Sequence, residues 1–306
     1  MTVLEAKDTI ETHVAYLKYD PSYENEKLFI MTYVPEGKSI ADGPLPRSNC
    51  VNHLQPVQIK NFRNLQSAPS FDQCGFALEK LQPAISPAEF ENSDSVEDVF
   101  YPQVEKMLAK MFPNAAHIRM LEHQIRKRHQ EFPVATGVPY QDLLPTTLVH
   151  IGKANHHSEE KPSTYTCVDF TPHSTAKTSI AAFDATPQQY RRLLAVNLWK
   201  SLQGPGNDWP LALCDCRTVD YKNEIVVQDI VYEDRFTENA RVYPSAKHKW
   251  YWYNNLQEDE IIVFQQCDTE VEGGRGVPHT GFYNPNVPND VTPRVSIELR
   301  AYIYFN

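Results

Sequence analysis

The sequence predicts a mainly β protein, a jelly roll with flanking helices, from three observations. The last stretch, 294–305, alternates strictly, with Val, Ile, Leu, Ala, Ile and Phe on one face and Arg, Ser, Glu, Arg, Tyr and Tyr on the other. Several other apolar stretches of strand length recur through the C-terminal half, separated by turn residues. Finally, 23 prolines against 11 glycines imply stiff, irregular connections between strands.

The clearest helix runs from about Ser95 to Phe112, with Val96, Val99, Phe100, Val104, Met107, Leu108 and Met111 at three- and four-residue spacing. Ser95 can cap its first turn and Pro102 is expected to split it. From about Pro133 to Pro162 the chain reads as a long connection that forms part of a pocket lid, and a second, shorter helix fits Thr186 to Leu194. Strands fit Leu194 to Leu202, Leu211 to Val219 and Glu224 to Val231. Lys247 to Tyr253 and Glu260 to Cys267 read as a pair joined by an acidic turn. On such a strand Trp250 and Trp252 share one face, and Tyr251 and Tyr253 the other.

With 306 residues and 41% hydrophobic content, the chain can bury a full core. A single domain is expected, with N-terminal strands and helices (about 1–130) packed on a C-terminal jelly-roll core (about 163–306). The 39 acidic residues outnumber 29 basic ones for a net charge of −10, which disfavours nucleic acid and anionic membranes. Arg126-Lys127-Arg128 reads as a solvated strand end. No segment approaches the ~18 apolar residues of a membrane span, so a cytosolic protein is expected. The six cysteines lack framework spacing and are expected to stay reduced; Cys214 and Cys216, two apart on a strand, should share one core face.

Several motifs occur in order: Val57-Gln58-Ile59-Lys60-Asn61-Phe62-Arg63, Gly75-Phe76-Ala77-Leu78, Tyr101-Pro102-Gln103-Val104-Glu105, Asp208-Trp209-Pro210-Leu211-Ala212-Leu213-Cys214-Asp215, His248-Lys249-Trp250-Tyr251-Trp252-Tyr253, Pro278-His279-Thr280 and Pro293-Arg294-Val295-Ser296. Together they resemble the fungal AsaB-type hydroxylase/desaturase family. The resemblance implies a double-stranded β-helix core of the iron/2-oxoglutarate oxygenase type. It also implies a metal held by His-x-Asp and by the histidine of Pro-His-Thr, here His279, with Arg294 as the cation for a 2-oxoglutarate carboxylate.

This chain departs from that pattern at the first ligand, where Cys167-Val168-Asp169 stands for His-x-Asp. A facial-triad iron site needs two imidazoles and a carboxylate. A cysteine sulfur sits one bond from Cβ, and a metal–sulfur bond of about 2.3 Å is too little longer than one to nitrogen to bridge the difference. His150 does not restore the motif by sequence, because Gly152 then occupies the carboxylate position. No metal or cofactor is therefore expected.

A subgroup with a matching loss, the hetero-Diels-Alderases of tropolonic sesquiterpene pathways, implies a metal-independent cycloaddition. Its substrates would be a tropolone-derived o-quinone methide and humulene or a hydroxylated humulene. On that reading His279, Arg294 and Asp169 are the catalytic candidates, with His279 or Arg294 donating to the heterodiene carbonyl and Asp169 fixing the histidine tautomer. Cys167, His173, Lys200, Tyr251 and Trp252 are the substrate-binding candidates. The competing expectations are an iron/2-oxoglutarate hydroxylase or desaturase, and a non-catalytic carrier of a hydrophobic metabolite. Such scaffolds often pair through exposed strands or helices, so a homodimer is among the expected assemblies.

Overall fold

The computed structural model describes residues 8–33, 47–82, 86–133, 142–158, 190–233, 235–271, 274–288 and 290–306. Its strands are β1 (Thr9–Leu17), β2 (Leu28–Met31), β3 (Asn52–Asn61), β4 (Phe76–Lys80), β5 (His117–Lys127), β6 (His150–Ser158), β7 (Arg192–Ser201), β8 (Leu211–Cys214), β9 (Ile225–Val231), β10 (Arg235–Val242), β11 (Trp250–Trp252), β12 (Glu260–Asp268), β13 (His279–Gly281) and β14 (Val295–Phe305). Nine form one sheet in the order β1-β3-β11-β8-β13-β6-β10-β9-β2, and five form a second in the order β4-β12-β7-β14-β5. The fold is a mainly β jelly roll, as the alternating pattern predicts.

The five-stranded sheet shows how one strand face can be apolar and the other polar with both buried. Leu194, Val196 and Leu198 of β7 and Ile297, Leu299 and Ile303 of β14 pack under the helices with Val96, Phe100, Val104 and Leu108. Burying a side chain of this size contributes about 1.5–3 kcal/mol. The opposite face, carrying Asn197, Trp199, Ser296, Glu298 and Arg300, looks into the space between the sheets, by the two-residue alternation of a strand. A second apolar cluster fills that space at one end, with Phe76, Phe264, Leu213, Tyr251 and Trp199. A third lies in the curl of the nine-stranded sheet, where β1 comes across β6: Val149 N–H donates to the Ala15 carbonyl at 2.9 Å, and Val14, Tyr16, Ile151, Trp250 and Trp252 pack there.

Several expected elements differ. The helical run starts at Asn92, whose side chain caps Asp94 and Ser95 N–H at 2.9 and 3.3 Å, so Ser95 is not the cap. Pro102 divides the run into two pieces, as expected. A wide turn over Val96–Phe100, closed by Tyr101 N–H to the Val96 carbonyl, precedes Tyr101–Met111 and places the proline in the first turn, where no N–H is needed. The expected helix over Thr186 to Leu194 is contradicted where it is described, because Arg192–Leu194 begin β7.

The expected lid connection contains β6, which becomes a central strand of the larger sheet. β11 and β12 are not a hairpin, since they belong to different sheets and the turn between them crosses from one to the other. The strand expected to continue to Val219 ends at Cys214. Asp215 caps a 3-10 turn by accepting Arg217 N–H at 3.0 Å, which sends Cys214 and Cys216 into different apolar clusters. The N-terminal strands are hydrogen-bonded into both sheets rather than laid on top of them: β1, β2 and β3 lie in the larger, β4 and β5 in the smaller. No helix among the described residues is long and apolar enough to cross a membrane.

Candidate functional site

Two rows of side chains face each other between the sheets. In the larger sheet Tyr251 stands opposite Leu213, Leu213 opposite His279, and His279 opposite His150. Directly paired residues in antiparallel strands project to the same face, so these four form one row. In the smaller sheet Phe264 stands opposite Asn197, and Asn197 opposite Arg300. The rows meet where the Phe264 and His279 rings pack edge-on with centroids 4.7 Å apart.

The two imidazoles are held alike. His279 Nδ1 lies 2.9 Å from the Val277 carbonyl and His150 Nδ1 lies 2.7 Å from the Leu148 carbonyl. A carbonyl can only accept, so each Nδ1 carries the proton and each neutral ring keeps a lone pair on Nε2. Their centroids are 4.2 Å apart. Burial lowers the pKa of both, and for His150 the neighbouring His279 lowers it further, so both are neutral at pH 7. The Val277 carbonyl therefore fixes the His279 tautomer, which makes His279 Nε2 an acceptor rather than the expected carbonyl donor.

Beside the imidazoles lies a largely covered set of charges. The Glu298 carboxylate is 3.6 Å from Arg126 Nε and accepts from Asn197 Nδ2 at 3.4 Å. Burial alone would raise its pKa, but Arg126 and Arg300 outweigh burial and hold it at about 2. Arg294 is only 3% exposed. Its backbone N–H donates to Asp208 at 2.7 Å, Nε donates to Ser296 Oγ at 3.1 Å, Nη1 donates to the Trp209 carbonyl, and its guanidinium lies 5.0 Å from the centre of the Trp199 ring. Burial, then Arg126, lowers its pKa to about 9, so it remains a cation held chiefly by protein groups.

Tyr251 faces between the sheets, with its ring 5.3 Å from that of Phe62. Trp252 is on the other face of β11, in the curl cluster with its ring 5.9 Å from Phe282, so it does not line the space beside His279. Lys200 shares the helix-side face of β7 with Leu198, and its Nζ donates to the Glu258 carbonyl, so it too is not brought to the imidazoles. Cys167, Asp169 and His173 lie outside the described residues.

Sequence reasoning missed His150, Arg126, Glu298, Arg300 and Asn197. The polar face of the last strand was a visible signal for two of these. Arg126, expected in solvent, has a side chain only 18% exposed because β5 pairs with β14 and turns it toward Glu298.

The iron implied by such a fold can be tested against these residues. His150 and His279 supply two imidazoles. Two residues after His150, where a carboxylate ligand would stand, is Gly152, and a Cβ there would meet Asn197 Nδ2 at 3.0 Å and the Gln266 amide carbon at 3.4 Å. Among the described residues, no three His, Cys, Asp or Glu side chains are grouped as a metal requires. The described residues do not fit a facial triad.

Comparison with known proteins agrees with the fold. The Fe(II)/2-oxoglutarate-dependent dioxygenase nvfI of Aspergillus novofumigatus is 27% identical over 243 residues, 77% of this chain and 78% of its own length. Aspirochlorine biosynthesis protein N of Aspergillus oryzae is 32% identical over 129 residues, 39% of this chain and 53% of its own. The structure of the iron and alpha-ketoglutarate-dependent endoperoxidase NvfI superposes with a TM-score of 0.72 at 20% identity, covering 98% of this chain and all of that one. The family model described as an oxidoreductase/YMDC permease-like domain matches residues 15–304, and the chain belongs to this fungal family of AsaB/NvfI-like oxidoreductases.

Proposed function

We propose that this chain is a metal-independent pericyclase of fungal secondary metabolism, joining a tropolone-derived o-quinone methide to humulene or a hydroxylated humulene by a hetero-Diels-Alder reaction. The observation that carries the reading is the site's donor set: two neutral imidazoles, and Gly152 packed against Asn197 where the iron carboxylate would stand. Such a site lacks the ligand set of an iron triad but can serve acid-base and hydrogen-bond chemistry.

The reaction forms one C–C and one C–O bond and needs no electron acceptor. The Nε2 of His279 or His150 takes the ring hydroxyl proton of a hydroxymethyl precursor, and the imidazolium so formed gives it to the hydroxyl that departs from the adjacent carbon, so that water leaves, the neutral imidazole returns and the quinone methide remains. Arg126 and Arg300 supply positive potential for the negative charge that gathers on oxygen as the C–O bond forms. The apolar row of Leu213 and Phe264 holds the hydrocarbon, whose affinity comes from buried area at about 25 cal/mol per Å². Holding two partners in a reactive pose can supply roughly 7–11 kcal/mol.

The second reading is an iron/2-oxoglutarate oxygenase, favoured by the likeness to the dioxygenase nvfI and by the paired imidazoles. Purified protein assayed with humulene and a hydroxymethyl tropolone precursor separates them. Product formation unaffected by EDTA and independent of 2-oxoglutarate is expected. Turnover that requires added iron and 2-oxoglutarate would establish the oxygenase, and binding with no rate effect would establish a carrier.

A further inference from the structure

Asn197 Oδ1 and Arg300 Nε are both buried with no hydrogen-bond partner among the described residues. Buried polar groups in folded proteins are almost always paired, so two orphans side by side ask for a third group. These two are directly opposite each other across β7 and β14, on the face that looks toward His150 and Gly152. Their neighbours fix their orientation. The ionised Glu298 carboxylate can only accept, so the amide nitrogen of Asn197 points at it, 3.4 Å away, and Oδ1 points elsewhere. Arg300 commits Nη1 to Glu122 at 2.7 Å, and Nε is left over.

A group between them must accept from Arg300 Nε–H and donate to Asn197 Oδ1. A hydroxyl does both, an ether or ketone only accepts, and a hydrocarbon does neither. Along the same row of the smaller sheet, Phe76 stands opposite Phe264 and Phe264 opposite Asn197, so an apolar wall leads into the orphan pair. We propose that Asn197 and Arg300 form a hydroxyl-binding notch that selects an alcohol over the bare hydrocarbon as the apolar substrate. Only the identity of that hydrocarbon rests on the cycloaddition reading. A lone water has the same hydrogen-bonding chemistry, and the test distinguishes the two.

Binding of humulene, a hydroxylated humulene and its methyl ether to the wild-type protein is read by quenching of tryptophan fluorescence, with no turnover needed. The alcohol is expected to bind at least about tenfold more tightly than humulene, with the ether close to humulene. In Asn197→Leu, checked for folding by its melting temperature, alcohol and hydrocarbon should bind within about twofold of each other. Equal binding of all three by the wild type, binding of none, or a preference retained in folded Asn197→Leu would overturn the notch, equal binding pointing to a water alone. The wild-type comparison stands even if the variant does not fold. A binding preference without rate acceleration would remove the cycloaddition and keep the notch, whereas acceleration without preference would do the reverse.

Discussion

His279 and His150 face each other across β13 and β6 with ring centroids 4.2 Å apart, each anchored through Nδ1 to the carbonyl two residues before it. This symmetry presents two Nε2 lone pairs without a proton between them. If either serves as the base, the two rings are not equivalent, because His279 also packs on Phe264. Of His279→Ala and His150→Ala, the variant that removes the base should lower product formation by about 10²-fold or more, the usual contribution of a positioned base. Retained activity in both variants would place the proton transfer elsewhere.

Acid should destabilise the fold for two reasons of the same sign. The imidazoles have lowered pKa values, so below about pH 6.5 the unfolded chain binds their protons first and stability falls. Glu298 is held at about 2 against an ordinary 4.5, so its contribution is present above pH 4.5 and is lost as the pH drops toward 2. That difference corresponds to about 3 kcal/mol as an order of magnitude. Urea unfolding midpoints should decline steadily from pH 7 to pH 3. Glu298→Gln should start lower at pH 7, with Arg126 left unpaired, and lose less below pH 4.5.

Restoring the missing carboxylate should not by itself restore iron binding. In Gly152→Asp the new Cβ runs into the Asn197 amide at 3.0 Å, so the variant should lose about 1–3 kcal/mol of stability. Its iron content after purification with ferrous iron should stay well below one per chain. Relief in Gly152→Asp/Asn197→Ala, with a rise in bound iron, would show that the packing of Asn197 is what closes the position. A full complement of iron in the single variant would contradict this account.

The apolar walls should separate by face. Trp252 is 2% exposed in the curl cluster, and Trp252→Ala should cost about 3–5 kcal/mol with the product ratio unchanged in whatever remains folded. Phe264→Ala opens the wall beside His279 and should instead change the ratio of diastereomers, since only ~1.4 kcal/mol between transition states alters it tenfold. Product analysis by chiral chromatography decides between the two faces.

The segment leading to His279 depends on a close backbone approach. A Cβ at Gly276 would overlap the Gln266 carbonyl and the Ile151 side chain, so Gly276→Ala should cost roughly 1–3 kcal/mol or more. Thermal unfolding measures it; a wild-type melting temperature would mean that this strand end moves freely.

The sequence by itself determined the fold class, most of the C-terminal strands, the opposite faces of Trp250 and Tyr251, and the polar and apolar faces of the last strand. These follow from local periodicity, because alternation along one strand is written in consecutive residues. What it left open was where each face would point. Arg294, Glu298 and Arg300 sit on a face that reads as solvent-exposed, yet the second sheet covers it, and buried ionised groups persist there because Arg126 and Glu298 meet across paired strands. By sequence His150 fails the His-x-Asp motif, because Gly152 stands at the carboxylate position. Only the pairing of β6 with β13, distant in the chain, brings it against His279. Which strands become neighbours, and hence which side chains share a site, is decided by burial across both sheets at once, and no window of the sequence contains that sum.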